Sequence, residues 1–150
     1  MMKPRTPEET MRNLRFADGG EEMEKRVVYT EKAPKPIGPY SQAVLVEGGK
    51  FLFVSGQIPI DPATGEIVGE TIEEQAERAI RNMLAIVEEA GGSVENIVKV
   101  TAFLSDINDY PKFNEVYEKF FSKSKPARAV VEVANLPKGV KVEIECIAVL

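Results

Sequence analysis

Residues 142–150, with the sequence Val-Glu-Ile-Glu-Cys-Ile-Ala-Val-Leu, predict a terminal β-strand whose two faces both become apolar. Glu143 and Glu145 are two residues apart and therefore point to the same side of the strand, where Ile147 follows them. The opposite side is apolar, so over Cys146 to Leu150 both sides of the strand are apolar. A sheet that contains this strand needs apolar cover on both of its faces.

Upstream of this strand, the chain alternates strand-like runs with two helical segments. The apolar pattern predicts further strands over 26–29, 43–47, 51–58, 97–104 and 129–133. Helices are predicted to begin after Thr71, with Glu74 at the spacing of a capping box, and after Asp109. The pair Gly48-Gly49 predicts a hairpin between the second and third strands.

This order of elements, β, β, β, α, β, α, β, β, implies an α+β fold with a mixed six-stranded sheet and two helices on one face. The second face of the sheet has no partner in a chain of 150 residues, because no further layer of structure is predicted. Self-association is therefore expected to cover that face.

The first 26 residues differ from the rest of the chain, with many charges of both signs and few large apolar side chains. Residues 6–9, Thr-Pro-Glu-Glu, combine a cap residue, a proline and acids in the first turn, and predict a short helix to about Phe16. A segment of this composition buries little apolar surface. We therefore interpret residues 1–26 as an N-terminal extension and residues 27–150 as the functional domain.

The composition argues against disordered, membrane and nucleic-acid-binding classes of protein. The chain has 43% hydrophobic residues, and no apolar run approaches the ~20 residues needed to cross a bilayer. Its 19 basic and 24 acidic residues give a net charge of −5, which does not attract nucleic acid or an anionic membrane. The N-terminus also lacks the apolar stretch of a secretory signal. We expect a cytoplasmic protein with no nucleic-acid and no membrane partner.

The complete absence of histidine restricts the chemistry that this chain can perform. It removes Ser-His and Cys-His nucleophile pairs, imidazole acid–base catalysis and the commonest metal ligand. Cys146 is the only cysteine, which excludes an internal disulfide and a cysteine cluster for zinc or iron–sulfur. Its position in the last strand predicts a small core residue. We therefore predict a site with no metal and no cofactor.

Arg128 and Glu143 are the first candidates for a site. Arg128 begins the strand that precedes the last one, and sequential strands often pair, so the two side chains are expected near each other at one sheet edge. An arginine and a glutamate at the rim of an apolar cleft suit a small carboxylate ligand. A structural salt bridge explains the same pair, and the pattern leaves both interpretations open.

Four other residues could direct a polar ligand. Ser55 and Gly56 end the third strand, where glycine permits close backbone approach, although a β-bulge explains the glycine equally well. Tyr40 follows a rigid Gly-Pro loop and could wall a pocket, or lie in the core with its hydroxyl at the rim. Asn114 offers an amide within the second helix, where an exposed position is the simpler explanation.

Five short motifs occur in order along the chain. They are Ile37-Gly38-Pro39-Tyr40-Ser41-Gln42, Ser55-Gly56-Gln57-Ile58-Pro59, Pro126-Ala127-Arg128, Glu132-Val133-Ala134 with Leu136-Pro137, and Val142-Glu143-Ile144-Glu145. In this order and spacing they resemble the RidA/YjgF family of reactive intermediate deaminases, over residues from about 27 to 150. The resemblance implies a chorismate-mutase-like homotrimer with a central barrel and a ligand cleft between each pair of subunits.

The resemblance also implies an activity and roles for the candidate residues. The deaminase branch of the family hydrolyses 2-imino acids, such as 2-iminopropanoate and 2-iminobutanoate, to 2-oxo acids and ammonia. These imino acids arise from pyridoxal-phosphate dehydratases. Arg128 matches the family's carboxylate-binding arginine, Glu143 its acidic residue near the reacting carbon, and Tyr40 its pocket tyrosine. Further cleft positions match Ser55, Gly56 and Asn114.

Some features of the family leave other functions open. Val130 stands where many bacterial members carry a cysteine, a departure that concerns regulation through that thiol and not hydrolysis. Relatives without known turnover leave open a carboxylate-binding or chaperone-like trimer. Others are described as ribonucleases or translation inhibitors, but the net charge of −5 and the lack of histidine argue against a nuclease.

Overall fold

The computed structural model describes residues 11–14 and 23–150, and within them the chain forms seven strands and two α-helices. The strands are β1 (Met11–Leu14), β2 (Met23–Val28), β3 (Ala43–Glu47), β4 (Phe51–Gln57), β5 (Ile97–Leu104), β6 (Ala127–Glu132) and β7 (Val142–Val149). The helices are α1 (Ile72–Glu89) and α2 (Tyr110–Phe121). The α+β class, the six predicted strands and the two predicted helices are confirmed.

The strands form two hydrogen-bonded sheets. One is three-stranded and antiparallel in the order β1-β2-β3, and the other is four-stranded in the order β4-β7-β5-β6. In the second sheet β5 and β6 are parallel, while β7 is antiparallel to both of its neighbours, so this sheet is mixed. The helix α2 connects β5 to β6, as a parallel pair requires.

The predicted single sheet, with a hairpin at Gly48-Gly49, is corrected by the strand pairing. Both glycines have a positive φ, of 79° and 83°, so the chain does turn there. However, β3 pairs with β2, and β4 pairs with β7. The reason lies one residue after the turn, where the backbone groups of Lys50 and Leu150 exchange two hydrogen bonds. This contact aligns β4 with the end of the chain rather than with β3.

The N-terminal segment contains a strand where a helix was predicted. Residues Met11–Leu14 form β1, with Met11 opposite Arg26 and Leu14 opposite Met23. An edge of β2 presents unpaired N–H and C=O groups, and backbone pairing satisfies them. The rest of the predicted helix, residues 6–10 and 15–16, lies outside the described residues. The strand β2 begins at Met23, three residues earlier than the expected start at residue 26, and the Met23 side chain is fully buried.

The helix α1 begins at the predicted N-cap residue Thr71, whose hydroxyl makes both of the bonds to Glu74. The Thr71 hydroxyl accepts a hydrogen bond from the Glu74 backbone N–H at 3.2 Å and donates one to the Glu74 carboxylate at 2.9 Å. One side of the helix is buried in the core, through Ile72, Ala76, Ala79, Ile80, Met83 and Val87. Neither helix within residues 23–150 is long and apolar enough to cross a membrane.

The core lies between the helices and one face of the four-stranded sheet. From α2 it contains Phe113, Val116, Tyr117 and Phe121, and the partly buried Phe120 packs against it. From β7 it contains every second residue, namely Val142, Ile144, Cys146 and Ala148. The alternate residues of the sheet therefore point away from the helices.

That second face of the four-stranded sheet is uncovered in the single chain. On β4, Phe51 is 68% and Phe53 is 72% exposed, and their rings stack with centroids 6.2 Å apart. Two adjacent aromatic side chains exposed to this degree are unusual for a protein that stays monomeric. This exposure agrees with the prediction that the second face needs a partner.

Candidate functional site

The Arg128 side chain extends from the start of β6 to the first turns of α2. Its Nη1 donates a hydrogen bond to Asn114 Oδ1 at 2.8 Å, and its Nη2 donates one to the Tyr110 hydroxyl oxygen at 2.9 Å. Both acceptors are neutral. The positive charge of Arg128 is therefore held in place without being neutralised by these contacts.

Three tyrosine rings surround the same guanidinium. Its central carbon lies 5.0 Å from the Tyr40 ring centroid, 5.6 Å from that of Tyr110 and 4.6 Å from that of Tyr117. At these distances the negative faces of the rings attract the cation. We refer to Arg128, Asn114, Tyr40, Tyr110 and Tyr117 as the arginine cluster. It brings together three of the predicted site residues.

A backbone link attaches the Tyr40 loop to the arginine strand. The Ser41 N–H donates to the Pro126 carbonyl at 3.3 Å, and the buried Ser41 hydroxyl donates to the Lys125 carbonyl at 2.5 Å. Lys125 has a φ of 41°, in the left-handed region that non-glycine residues seldom adopt. These contacts place Tyr40 beside Pro126, which immediately precedes β6 and lies two positions before Arg128.

The Tyr117 hydroxyl is the one polar atom of the arginine cluster that is buried without a hydrogen-bond partner among the described residues. Burial raises the pKa of this phenol, although the Arg128 charge opposes the shift. The group therefore stays neutral at ordinary pH.

Tyr117→Phe is expected to stabilise the protein. The change removes the unpaired hydroxyl and keeps the ring that stacks on Arg128, and burying an unpaired hydroxyl costs roughly 1–3 kcal/mol. The free energy of unfolding from chemical denaturation should rise by about 1 kcal/mol. A lower value than that of the wild type would show that the hydroxyl has a partner that stabilises the fold.

A second group of predicted residues lies where β4 and β7 meet. The pairing of these strands shifts between Val54 and Gln57, so Ser55 and Gly56 form a β-bulge, as one of the sequence interpretations suggested. A Cβ atom on Gly56 would lie 2.3 Å from Glu143 Oε2, which is shorter than the contacts that Cβ atoms make in proteins. Glycine at this position is therefore required for the Glu143 carboxylate to lie against the strand. We refer to Ser55, Gly56 and Glu143 as the glutamate cluster.

The two clusters lie on opposite sides of the sheet, which corrects the predicted proximity of Arg128 and Glu143. The strand β6 pairs with β5 and not with β7, and Arg128 lies opposite Val100 while Glu143 lies opposite Phe103. The Arg128 side chain contacts the helix side, whereas Glu143 alternates with the core residues of β7 and faces the other way. A salt bridge between them within one chain is excluded.

The profile of the family described as Endoribonuclease L-PSP matches residues 30–150, which include both clusters. The chain belongs to the RidA/YjgF family.

Individual relatives cover most of the chain. A RutC family protein of Pyrococcus abyssi is 61% identical over 126 residues, which are 84% of this chain and 98% of that protein. The human 2-iminobutanoate/2-iminopropanoate deaminase is 47% identical over 83% of this chain and 90% of that protein. The crystal structure of Escherichia coli TdcF with bound serine has a TM-score of 0.64 and is 47% identical, covering 83% of this chain and 98% of that chain.

Tyr110 and Tyr117 are the site residues of this RidA/YjgF chain that the sequence analysis missed. Tyr110 contacts Arg128 both by a hydrogen bond and by its ring, and the Tyr117 ring lies beside the same guanidinium. A signal was present, because Tyr110, Asn114 and Tyr117 follow one another at steps of four and three, which places them on one face of α2. Of these three residues, only Asn114 was named as a candidate from the sequence.

Cys146 lies in the core, as predicted for this RidA/YjgF chain. Its side chain is 3% exposed, and burial, together with the charge of Glu145, raises the pKa of the thiol to about 12. The thiol is therefore protonated and unreactive at neutral pH. Within residues 23–150 no three histidine, cysteine or acidic side chains lie close enough together to bind a metal ion.

Proposed function

We propose that the protein hydrolyses 2-imino acids, such as 2-iminopropanoate and 2-iminobutanoate, to 2-oxo acids and ammonia. The observation that carries the proposal is the arginine cluster, in which a guanidinium is held by neutral groups and so keeps its full charge for an anion. A relative that is 47% identical is named as a 2-iminobutanoate/2-iminopropanoate deaminase, and TdcF binds serine, which has a carboxylate beside a nitrogen-bearing carbon.

Arg128 binds the substrate carboxylate in this proposal. A guanidinium has five N–H donors, and Asn114 and Tyr110 occupy two of them. The remaining donors can bind both carboxylate oxygens through two parallel hydrogen bonds, a geometry that lysine cannot reproduce. Tyr40 walls the pocket from the face of the guanidinium.

Glu143 activates water in the proposed reaction, and Ser55 and Gly56 line the pocket beside it. The Glu143 carboxylate accepts a proton from water as the water oxygen adds to the carbon of the C=N bond. Glu143 passes this proton to the nitrogen, which gives a carbinolamine that carries an OH and an NH2 group on the same carbon. The remaining hydroxyl proton is then transferred to the nitrogen, the C–N bond breaks, and ammonia leaves as the C=O bond forms. The sum is imino acid plus water giving oxo acid plus ammonia, so no cofactor or metal is required.

The site requires two subunits, because Arg128 and Glu143 lie on opposite sides of one chain's sheet. The exposed Phe51 and Phe53 support an assembly that covers this sheet face. We assign the chain to a cytoplasmic homotrimer with a central barrel and a cleft between each pair of subunits. One subunit then supplies the arginine cluster, and its neighbour supplies the glutamate cluster.

Two other functions are compatible with parts of this geometry. A carboxylate-binding or chaperone-like trimer without turnover would use Arg128 in the same way. The family description names an endoribonuclease, but a net charge of −5 and the absence of histidine disfavour nuclease chemistry. The first alternative differs from the proposal only in turnover, so a turnover assay separates them.

The direct test is ammonia release from 2-iminobutanoate that a threonine dehydratase generates in the assay. The protein is expected to accelerate ammonia release well above the rate of spontaneous hydrolysis, in proportion to its concentration. A chain beginning at Met23 is expected to act equally, since we assign catalysis to residues 27–150. Binding of 2-oxobutanoate without any acceleration would favour the non-catalytic alternative.

A further inference from the structure

The Tyr110 hydroxyl is the least expected polar contact of the arginine cluster. It accepts a hydrogen bond from Arg128 Nη2 at 2.9 Å, while Asn114, one helical turn later, accepts one from Nη1 at 2.8 Å. The two acceptors therefore come from the same face of α2 and engage both terminal nitrogens. A guanidinium held at two nitrogens cannot rotate about its last side-chain bonds, whereas one held at a single nitrogen can.

A close backbone approach supports the same arrangement from the other side. A Cβ atom on Gly38 would lie 2.9 Å from Arg128 Nη2 and 3.4 Å from the Tyr110 hydroxyl oxygen. The Gly38 backbone is thus packed directly against this hydrogen-bonded pair, with the Tyr40 ring beside it at 3.4 Å from the same point. An added methyl group would displace one of the two atoms.

From these contacts we infer that Tyr110 is a positioning residue for carboxylate recognition, which acts through Arg128. With Tyr110 and Asn114 occupying the α2 side of the guanidinium, its remaining N–H donors face away from the helix in one fixed plane. A flat anion with two oxygens matches that plane, whereas a neutral amide does not. This inference rests on the proposed function for its choice of ligand. It assigns selectivity for a carboxylate to the Tyr110 hydroxyl, which need not touch the substrate.

The test compares two probes that differ only in the acid group, 2-oxobutanoate and 2-oxobutanamide. Tyr110→Phe keeps the ring over Arg128 and removes the hydroxyl. The dissociation constant of 2-oxobutanoate, measured by ligand-observed NMR on the full chain, is expected to rise about tenfold, as for loss of one hydrogen bond to a charged group. The dissociation constant of 2-oxobutanamide is expected to stay unchanged, so the ratio of the 2-oxobutanamide constant to the 2-oxobutanoate constant falls about tenfold.

Two further variants make this test independent of folding defects. Gly38→Ala perturbs the same pair from the other side and is expected to reduce the same ratio. Tyr29→Phe is the matched control, because it removes the hydroxyl of a half-buried tyrosine outside the arginine cluster, and it should leave both constants unchanged.

Three outcomes overturn the inference. The first is an unchanged ratio in both Tyr110→Phe and Gly38→Ala. The second is an equal loss of affinity for both probes, which a merely structural role produces. The third is a wild-type protein that binds no 2-oxobutanoate. A wild type that binds 2-oxobutanoate and shows the expected change of ratio, but does not hydrolyse the imino acid, overturns the proposed function alone.

Discussion

Arg128→Ala is expected to lower kcat/KM for 2-iminobutanoate by at least about 10²-fold, because each hydrogen bond from a charged donor contributes roughly 1.5–3 kcal/mol and two are lost. Arg128→Lys is expected to lower kcat/KM as well, since a single ammonium group cannot form the two parallel hydrogen bonds to the carboxylate. The measurement is ammonia release from 2-iminobutanoate generated in the assay.

Arg81→Ala is the matched control for this experiment. Arg81 also lies over an aromatic ring, 5.4 Å from the centroid of Phe120, but it is exposed and pairs with Glu77 on the surface of α1. Its removal should leave turnover unchanged. If Arg128→Ala keeps wild-type turnover, the assignment of the carboxylate site is wrong. If Arg128→Ala and Arg128→Lys both lose folding and activity together, the residue is structural.

Mixing two inactive variants is expected to restore activity. Glu143→Gln removes the carboxylate that activates water and should lower kcat by about 10²-fold or more, with little effect on folding. When Arg128→Ala and Glu143→Gln chains are unfolded together and refolded at equal amounts, about a quarter of the sites in a randomly assembled ring combine an intact Arg128 with an intact Glu143. Activity should therefore recover to about a quarter of the wild-type value.

The unmixed variants, each refolded alone, are the control for this recovery. Recovery occurs only if one subunit supplies Arg128 and another supplies Glu143. If both residues came from the same chain, every site in the mixture would keep one defect and no activity would return. The size of the recovered assembly, measured by light scattering, tests the homotrimer in the same sample.

Much of the fold could be predicted because its signals are local. The helix α1 follows from Thr71, Glu74 and the spacing of its apolar residues, and β7 follows from its own alternation. Strand partners depend on contacts between residues that are distant in sequence. The hairpin rule therefore failed at Gly48-Gly49, where the backbone of Lys50 pairs with that of Leu150.

Most residues of the two clusters could be named from the sequence, but their arrangement could not. Arg128, Asn114 and Tyr40 do lie together, as the family motifs implied. The expected proximity of Arg128 and Glu143 was wrong because β5 is inserted between β6 and β7. Tyr110 was missed because the phase of α2 relative to the sheet decides which of its side chains meet Arg128.

The single cysteine can serve as a reporter of how the sheet opens. Cys146 lies in β7, between β4 and β5, and the residue is 3% exposed. A thiol reagent can reach it only after these strands separate from the helices above them. Because the chain has one cysteine, the rate of labelling measures a single opening event. The rate of Cys146 labelling thus reports local unfolding at the centre of the sheet in the native sequence, with no probe to be introduced.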